Sequence, residues 1–141
     1  VKKQRSQSVA VSTPTSAVLD ACVLFSAALR DTLLRAAVKR LYRLHLTEEI
    51  LDEVRRNLLK SGRIPDSGLA DRLVEQIRRA FPGSMVEGYS ALVSKMTNHP
   101  KDRHVLAAAV ATGGKPYRYA QSERLSCPSS SSIWGYCSVA R

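Results

Sequence analysis

Cysteine is scarce and badly spaced for chemistry: Cys22, Cys127 and Cys137 are the only three, and no two form a C-x-x-C pair. Such a set suits neither a disulfide framework nor a thiolate zinc site. Cys22, inside an apolar run, therefore reads as a small core residue. Long apolar runs are missing as well. The longest uncharged apolar stretch, Ala21 to Leu29 with one serine, is nine residues, against the ~20 that a membrane-spanning helix needs. No membrane segment is expected. Lys2, Lys3 and Arg5 lead into Ser, Thr and Pro rather than into the apolar centre of a secretory signal, so the expected compartment is the cytoplasm. G-x-x-x-x-G-K-[ST], G-x-G-x-x-G and G-x-S-x-G are all absent. Nucleotide hydrolysis, dinucleotide redox chemistry and serine hydrolysis thereby lose their sequence support.

What remains is a chain of 141 residues, 44% hydrophobic and 24% charged, the size and composition of one globular domain. Acid is outnumbered: 22 Lys and Arg face 12 Asp and Glu, for a net charge of +10. A polyanionic partner, nucleic acid or an acidic protein, fits that balance. Much of the excess lies in the ends, however. Residues 1–13 carry three bases and no acid, and 113–141 carry four bases and one acid, which leaves fifteen bases and eleven acids in 14–112. The charge thus fits a nucleic-acid surface and basic tails equally well.

Ser16 to Asp20 (SAVLD) is a short apolar run closed by an acid, the pattern of a buried strand. Leu29, Leu33, Ala37 and Leu41 recur at helical spacing and predict a helix over 28–41 that packs on that strand. Leu41 to Leu46 alternates as a second strand. Thr47 is placed to cap a helix running to about Leu59, with Glu48 and Glu49 in its first turn and Ile50, Val54 and Leu58 as its apolar stripe. Glu49, Glu53 and Arg56 share a different face. Further helical patterns cover 69–80, 88–96 and 102–111, and Met85 to Glu87 is a candidate short strand. Alternating strands and helices through residue 112 predict an α/β domain with a mostly parallel sheet. Gly113 to Arg141 breaks the pattern, being rich in serine with no amphipathic period, and reads as a poorly ordered tail that adds no core strand.

Three carboxylates stand where chemistry would need them. Asp20 ends the first strand, at the sheet edge where open α/β folds bind ligands; taken alone it is a turn or cap residue. Glu53 lies off the apolar stripe of its helix, which alone makes it a solvated charge beside Arg56 or Glu49. Asp102 opens the Ala-rich helix, where an acid is favourable in any case. As a group they are acids from three separated elements, which is how oxygen-ligated Mg²⁺ or Mn²⁺ sites are assembled. His45, His99 and His104 lack metal-ligand spacing and read as structural.

The runs VLDACVLFSAALRDTLLRAA (Val18 to Ala37), LTEEILDEVRRNL (Leu46 to Leu58) and HPKDRHVLAAAV (His99 to Val110) occur in this order. They resemble bacterial PIN-domain proteins of the toxin branch, over Val18 to Thr112. The resemblance implies a three-layer α/β/α fold for residues 14–112, preceded by a basic flexible leader over 1–13. It also implies the ribonuclease half of a type II toxin–antitoxin pair, using Mg²⁺ or Mn²⁺ to hydrolyse RNA phosphodiesters. Asp20 matches the first family acid, Glu53 the second and Asp102 the third; Glu49, one turn from Glu53, is the alternative for the second. The implied partners are RNA, a cognate antitoxin protein and a second copy of the chain. Lys101 or Arg103 is placed to touch the RNA backbone.

The family's next element, a strand and fourth acid in a pattern like I-V-T-x-N-L-K-D-F-P, does not follow Thr112. The genetic code nevertheless permits it one base forward. Between Tyr117 and Cys127 the shifted codons allow, in order, Ile, Val, Thr, a variable residue, Asn, Leu, Lys, Asp, Phe and Pro. A frameshift near Gly113 or Gly114 is therefore expected, with an out-of-frame tail, a missing last strand and impaired activity. Two rivals remain: a non-catalytic remnant that binds an antitoxin-like protein or RNA, and a helical DNA-binding module, for which no recognition-helix pattern is evident.

Overall fold

The computed structural model describes residues 15–113 and the backbone of 138–140. The basic leader expected over 1–13 lies outside the described residues, as does nearly all of the 113–141 tail. Strand β1 (Ser16–Val18) runs into α1 (Ala21–Phe25) and α2 (Ala27–Val38), and the chain returns as β2 (Arg43–His45). Four helices follow: α3 (Glu48–Lys60), α4 (Ser67–Ala80), α5 (Ser90–Val93) and, after a 3₁₀ turn at Pro100–Asp102, α6 (Arg103–Ala111). The last element is β3 (Ser138–Ala140).

The result is a small α/β domain. β1 is the central strand of the order β2-β1-β3. It pairs in parallel with β2, Ala17 opposite Leu44, as a strand–helix–strand crossover requires. Ala17, Val18 and Leu19 are buried in succession, the continuous apolar signature of a strand covered on both faces. Beyond β2 the sheet is prolonged by one bridge. Leu46 N–H donates to the Ser84 carbonyl at 2.9 Å, and Val86 N–H donates to the Leu46 carbonyl at 2.8 Å. The strand expected at Met85 to Glu87 is thus reduced to a single parallel pairing of Leu46 with Met85.

Helix α3 organises the core. Thr47 Oγ1 accepts from Ile50 N–H at 3.1 Å, and Ile50, Leu51, Val54 and Leu58 are all buried beside Val18, Leu24 and Val105. The cap and the stripe stand where the sequence pattern put them.

Four expectations need correction. The helix expected over 28–41 is α2, which spans Ala27–Val38 and stops short of Leu41, and a separate, unforeseen helix α1 precedes it, the two parted at Ser26, whose backbone is extended (φ −72°, ψ 117°). α1, packed against α3, takes the core position, and α2 contributes no fully buried residue. Leu41 lies outside α2 and is 70% exposed. The turn after α2 accounts for it: Arg40 N–H donates to Ala37 O and Leu41 N–H to Ala36 O, a Schellman stop with Arg40 at φ 58°. That stop swings Leu41 away from the stripe. Cys22, expected in the core, is half-buried, because α1 turns Ala21, Leu24 and Phe25 inward instead. Finally, the tail does supply a strand: Ser138–Ala140 pairs antiparallel with β1, beside the parallel pairings of β1 with β2 and of Leu46 with Met85. The open edge of a central strand offers unpaired N–H and C=O groups that any nearby extended segment satisfies, whatever its side-chain pattern.

Among the described residues, no helix is long and apolar enough to cross a membrane.

Candidate functional site

Asp20 is the pivot of the site. It follows β1 directly and caps α1, its Oδ1 accepting from Ala21 N–H at 2.6 Å, while its own carbonyl accepts from Val23 and Leu24. A cap is therefore part of its role, as an isolated Asp at a strand end suggests. Yet it is only 6% exposed. Burial pushes its carboxyl up to about 6, the neighbouring charges of Glu53 and Asp102 add to that rise, and the Ala21 hydrogen bond and His104 oppose it. Both other sequence-predicted acids thus act on Asp20 through space.

Each arrives on its own element. Glu53 projects from α3 off the buried stripe and is half-buried. Its Oε2 lies 3.9 Å from His104 Nε2. Asp102 ends the 3₁₀ turn at the N-terminus of α6 but makes no side-chain capping bond. Its Oδ2 is buried without a hydrogen-bond partner. Burial raises its carboxyl above the ordinary value, opposed by His99, His104 and Lys101. Glu53 and Asp102 both act electrostatically on Asp20. Glu49 is exposed on the neighbouring turn of α3 and accepts from the Tyr89 hydroxyl at 3.3 Å. It lines the same cavity as Glu53.

His104 is the residue that sequence reading passed over. It is 7% exposed, its Nε2 has no hydrogen-bond partner, and it lowers the carboxyls of both Asp20 and Asp102. The available signal was its place two residues after Asp102, on the first turn of a helix that beyond it holds only Val, Leu and Ala. A buried imidazole among small apolar side chains points to a polar neighbour. The other two histidines have local roles: His99 Nδ1 accepts from Lys101 N–H at 3.3 Å, and half-buried His45 is held below its usual value by burial and by Arg43.

The donors suit a hard divalent cation in kind. They are carboxylate oxygens, one of them orphaned, and one carboxyl is strained by like charge that a cation would relieve. Among the described residues no three His, Cys, Asp or Glu side chains form a ready-made ligand cluster. Mg²⁺ is commonly held by one or two carboxylates with water completing its shell, so the set fits by chemistry and charge. Comparison of the chain with family models, with curated proteins and with solved structures finds no match.

Proposed function

We propose that the protein is a metal-dependent ribonuclease of the PIN type, with a PIN-like α/β/α architecture, acting as the toxin of a cytoplasmic toxin–antitoxin pair. One observation carries the reading. Acids from three separate elements, Asp20 after β1, Glu53 on α3 and Asp102 before α6, share one electrostatic neighbourhood, and two of them act on the buried third. Repulsion of that kind persists in a fold where function requires it. Asp20, Glu53 and Asp102 would hold Mg²⁺ or Mn²⁺, which when bound lowers the pKa of water and offsets charge on the phosphate.

The chain's own side chains do the rest. The Ala21 N–H fixes Asp20 in place, and with its carboxyl titrating at about 6 it is mostly ionised at neutral pH. The orphaned Asp102 Oδ2 is the oxygen free to take a ligand without breaking an existing bond. His104 supplies the adjacent polar group on the Glu53 side. The fourth family acid is absent from this reading frame, so the site holds less negative charge and activity is impaired.

A second reading, a non-catalytic remnant that binds an antitoxin-like protein, is favoured by Val38, 66% exposed at the end of α2, and by exposed Leu41 beside it. Incubation of the purified chain with single-stranded RNA and Mg²⁺ or Mn²⁺ separates the two. Metal-dependent cleavage that Asp20→Asn abolishes is the expected result. Absence of cleavage in the native chain and in a version with the family strand restored would overturn the enzymatic reading.

A further inference from the structure

A cavity of about 490 Å³ opens beside the acidic cluster, lined by Glu49, Glu53, Arg56, Lys60, Lys101 and His104 among others. Its α3 wall follows from the helix period: residues 49, 53, 56 and 60 fall at i, i+4, i+7 and i+11, a single stripe. That stripe changes sign along its length, from two acids to two cations. Lys101, on the 3₁₀ turn before α6, belongs to the same cavity.

The state of these cations is informative. Three arginines elsewhere on α3 and α4 are paired, Arg55 with Asp71, Arg78 with Glu48 and Glu75, and Arg79 with Glu75, while exposed Arg72 is not, among the described residues. Arg56, Lys60 and Lys101 have no carboxylate within ion-pair distance among the described residues. A second feature points to a ligand independently. His104, more than nine-tenths buried, lines this cavity with an Nε2 that has no hydrogen-bond partner. Buried polar nitrogens are nearly always satisfied, and within the protein this one is not.

We infer that this cavity is a phosphate subsite for single-stranded RNA, in which Arg56, Lys60 and Lys101 neutralise a backbone phosphate and His104 Nε2 donates to it. The assignment rests on the ribonuclease reading and adds to it the track of the substrate. Lys60 lies seven residues beyond Glu53, about 10.5 Å along the helix axis. The bound phosphate is therefore a neighbour of the one at the acids, and the stripe sets the direction in which the strand leaves the site.

The test is equilibrium binding of a labelled short single-stranded RNA to the full chain in EDTA, across a salt series. Arg56→Gln, Lys60→Gln and Lys101→Gln are compared with native protein and with Arg72→Gln, an exposed cation on α4. Each cavity variant is expected to reduce the slope of log K against log salt by about 0.7, the loss of one single-strand phosphate contact. The triple variant should lose about 2, and Arg72→Gln should match native protein. His104→Leu should weaken binding about tenfold at a fixed salt concentration and His104→Gln, which keeps a donor, by less, with thermal unfolding followed in parallel to verify folding. Native protein that fails to bind RNA, a triple variant with the native slope, or a loss equal to that of Arg72→Gln would each overturn the inference. So would displacement of the RNA by polyglutamate at equal charge, which would assign the cavity to an acidic protein. The two readings fail separately. Binding that follows the expected slopes without cleavage when Mg²⁺ is added defeats the nuclease and keeps the subsite, whereas cleavage with native slopes in every variant does the reverse.

Discussion

Glu53 Oε2 and His104 Nε2 stand 3.9 Å apart, joining the middle of α3 to the first turn of α6. The contact is too long for a hydrogen bond. It nonetheless holds a half-buried carboxylate and a buried imidazole within strong electrostatic reach of Asp20. Because Glu53 raises the Asp20 carboxyl, Glu53→Gln should lower the Asp20 midpoint from about 6 toward the ordinary value without moving the backbone. Carboxyl carbon NMR titration of Asp20 reads this directly. An unchanged midpoint would mean that the two acids do not share a site.

Asp20 also predicts a trade between stability and function. Its carboxyl titrates at 3.8 in the unfolded chain and at about 6 in the folded one, so between those values the folded state binds more protons. Stability from this group is therefore present below pH 3.8 and is lost as pH rises through 6. Asp20→Asn removes the penalty while keeping a capping oxygen for Ala21 N–H. It should stabilise the protein at pH 7 by about 1–3 kcal/mol, with little effect at pH 4. Denaturant unfolding at the two pH values checks it. Destabilisation at pH 7 would show that the carboxylate contributes more as a cap than it costs as a buried charge.

Two helix ends give opposite expectations. Thr47 is buried and its hydroxyl caps α3, so Thr47→Ala should cost about 1–2 kcal/mol, with Thr47→Ser close to native. Arg40 holds φ 58° at the α2 stop, a conformation that glycine adopts without Cβ strain. Arg40→Gly should therefore stabilise by about 0.5–1 kcal/mol. By comparison, Glu48→Gln breaks only an exposed pair with Arg78 and should stay within about 1 kcal/mol. Thermal melts of the four variants rank them.

The same contrast explains what was legible in the sequence. α3 could be read because Thr47, Glu48, Ile50, Val54 and Leu58 encode its cap, dipole and stripe within fourteen consecutive residues, Thr47 to Lys60. The short helix α1 could not, since the five residues of ACVLF are too few to display a helical period, and it is its packing against α3 that marks its inward face. Leu41 was misplaced because its register depends on a left-handed Arg40, which its side chain does not advertise. β3 pairs with a strand more than a hundred residues earlier, a non-local choice with no period to reveal it. The site divides in the same way. Asp20, Glu53 and Asp102 were singled out from their positions on separate elements, while His104 was read as merely structural because its meaning lies in what α3 brings to it.

The last prediction concerns the reading frame. As written, residues 117–127 carry no acid but Glu123, yet one base forward their codons permit I-V-T-x-N-L-K-D-F-P, with a strand and an aspartate. The corrected chain should gain on two counts that can be measured apart. A parallel strand with three β-branched residues has higher strand propensity than Ser138–Ala140, so the melting temperature should rise without metal. A fourth carboxylate at the acidic edge should tighten Mn²⁺ binding and increase RNA cleavage. Converting that aspartate to asparagine in the corrected chain separates the effects, keeping the stability gain and losing the activity gain. Equal metal-dependent cleavage by the chain as written would show that the present tail already supplies what the shifted frame encodes, and the frameshift would then have no bearing on catalysis.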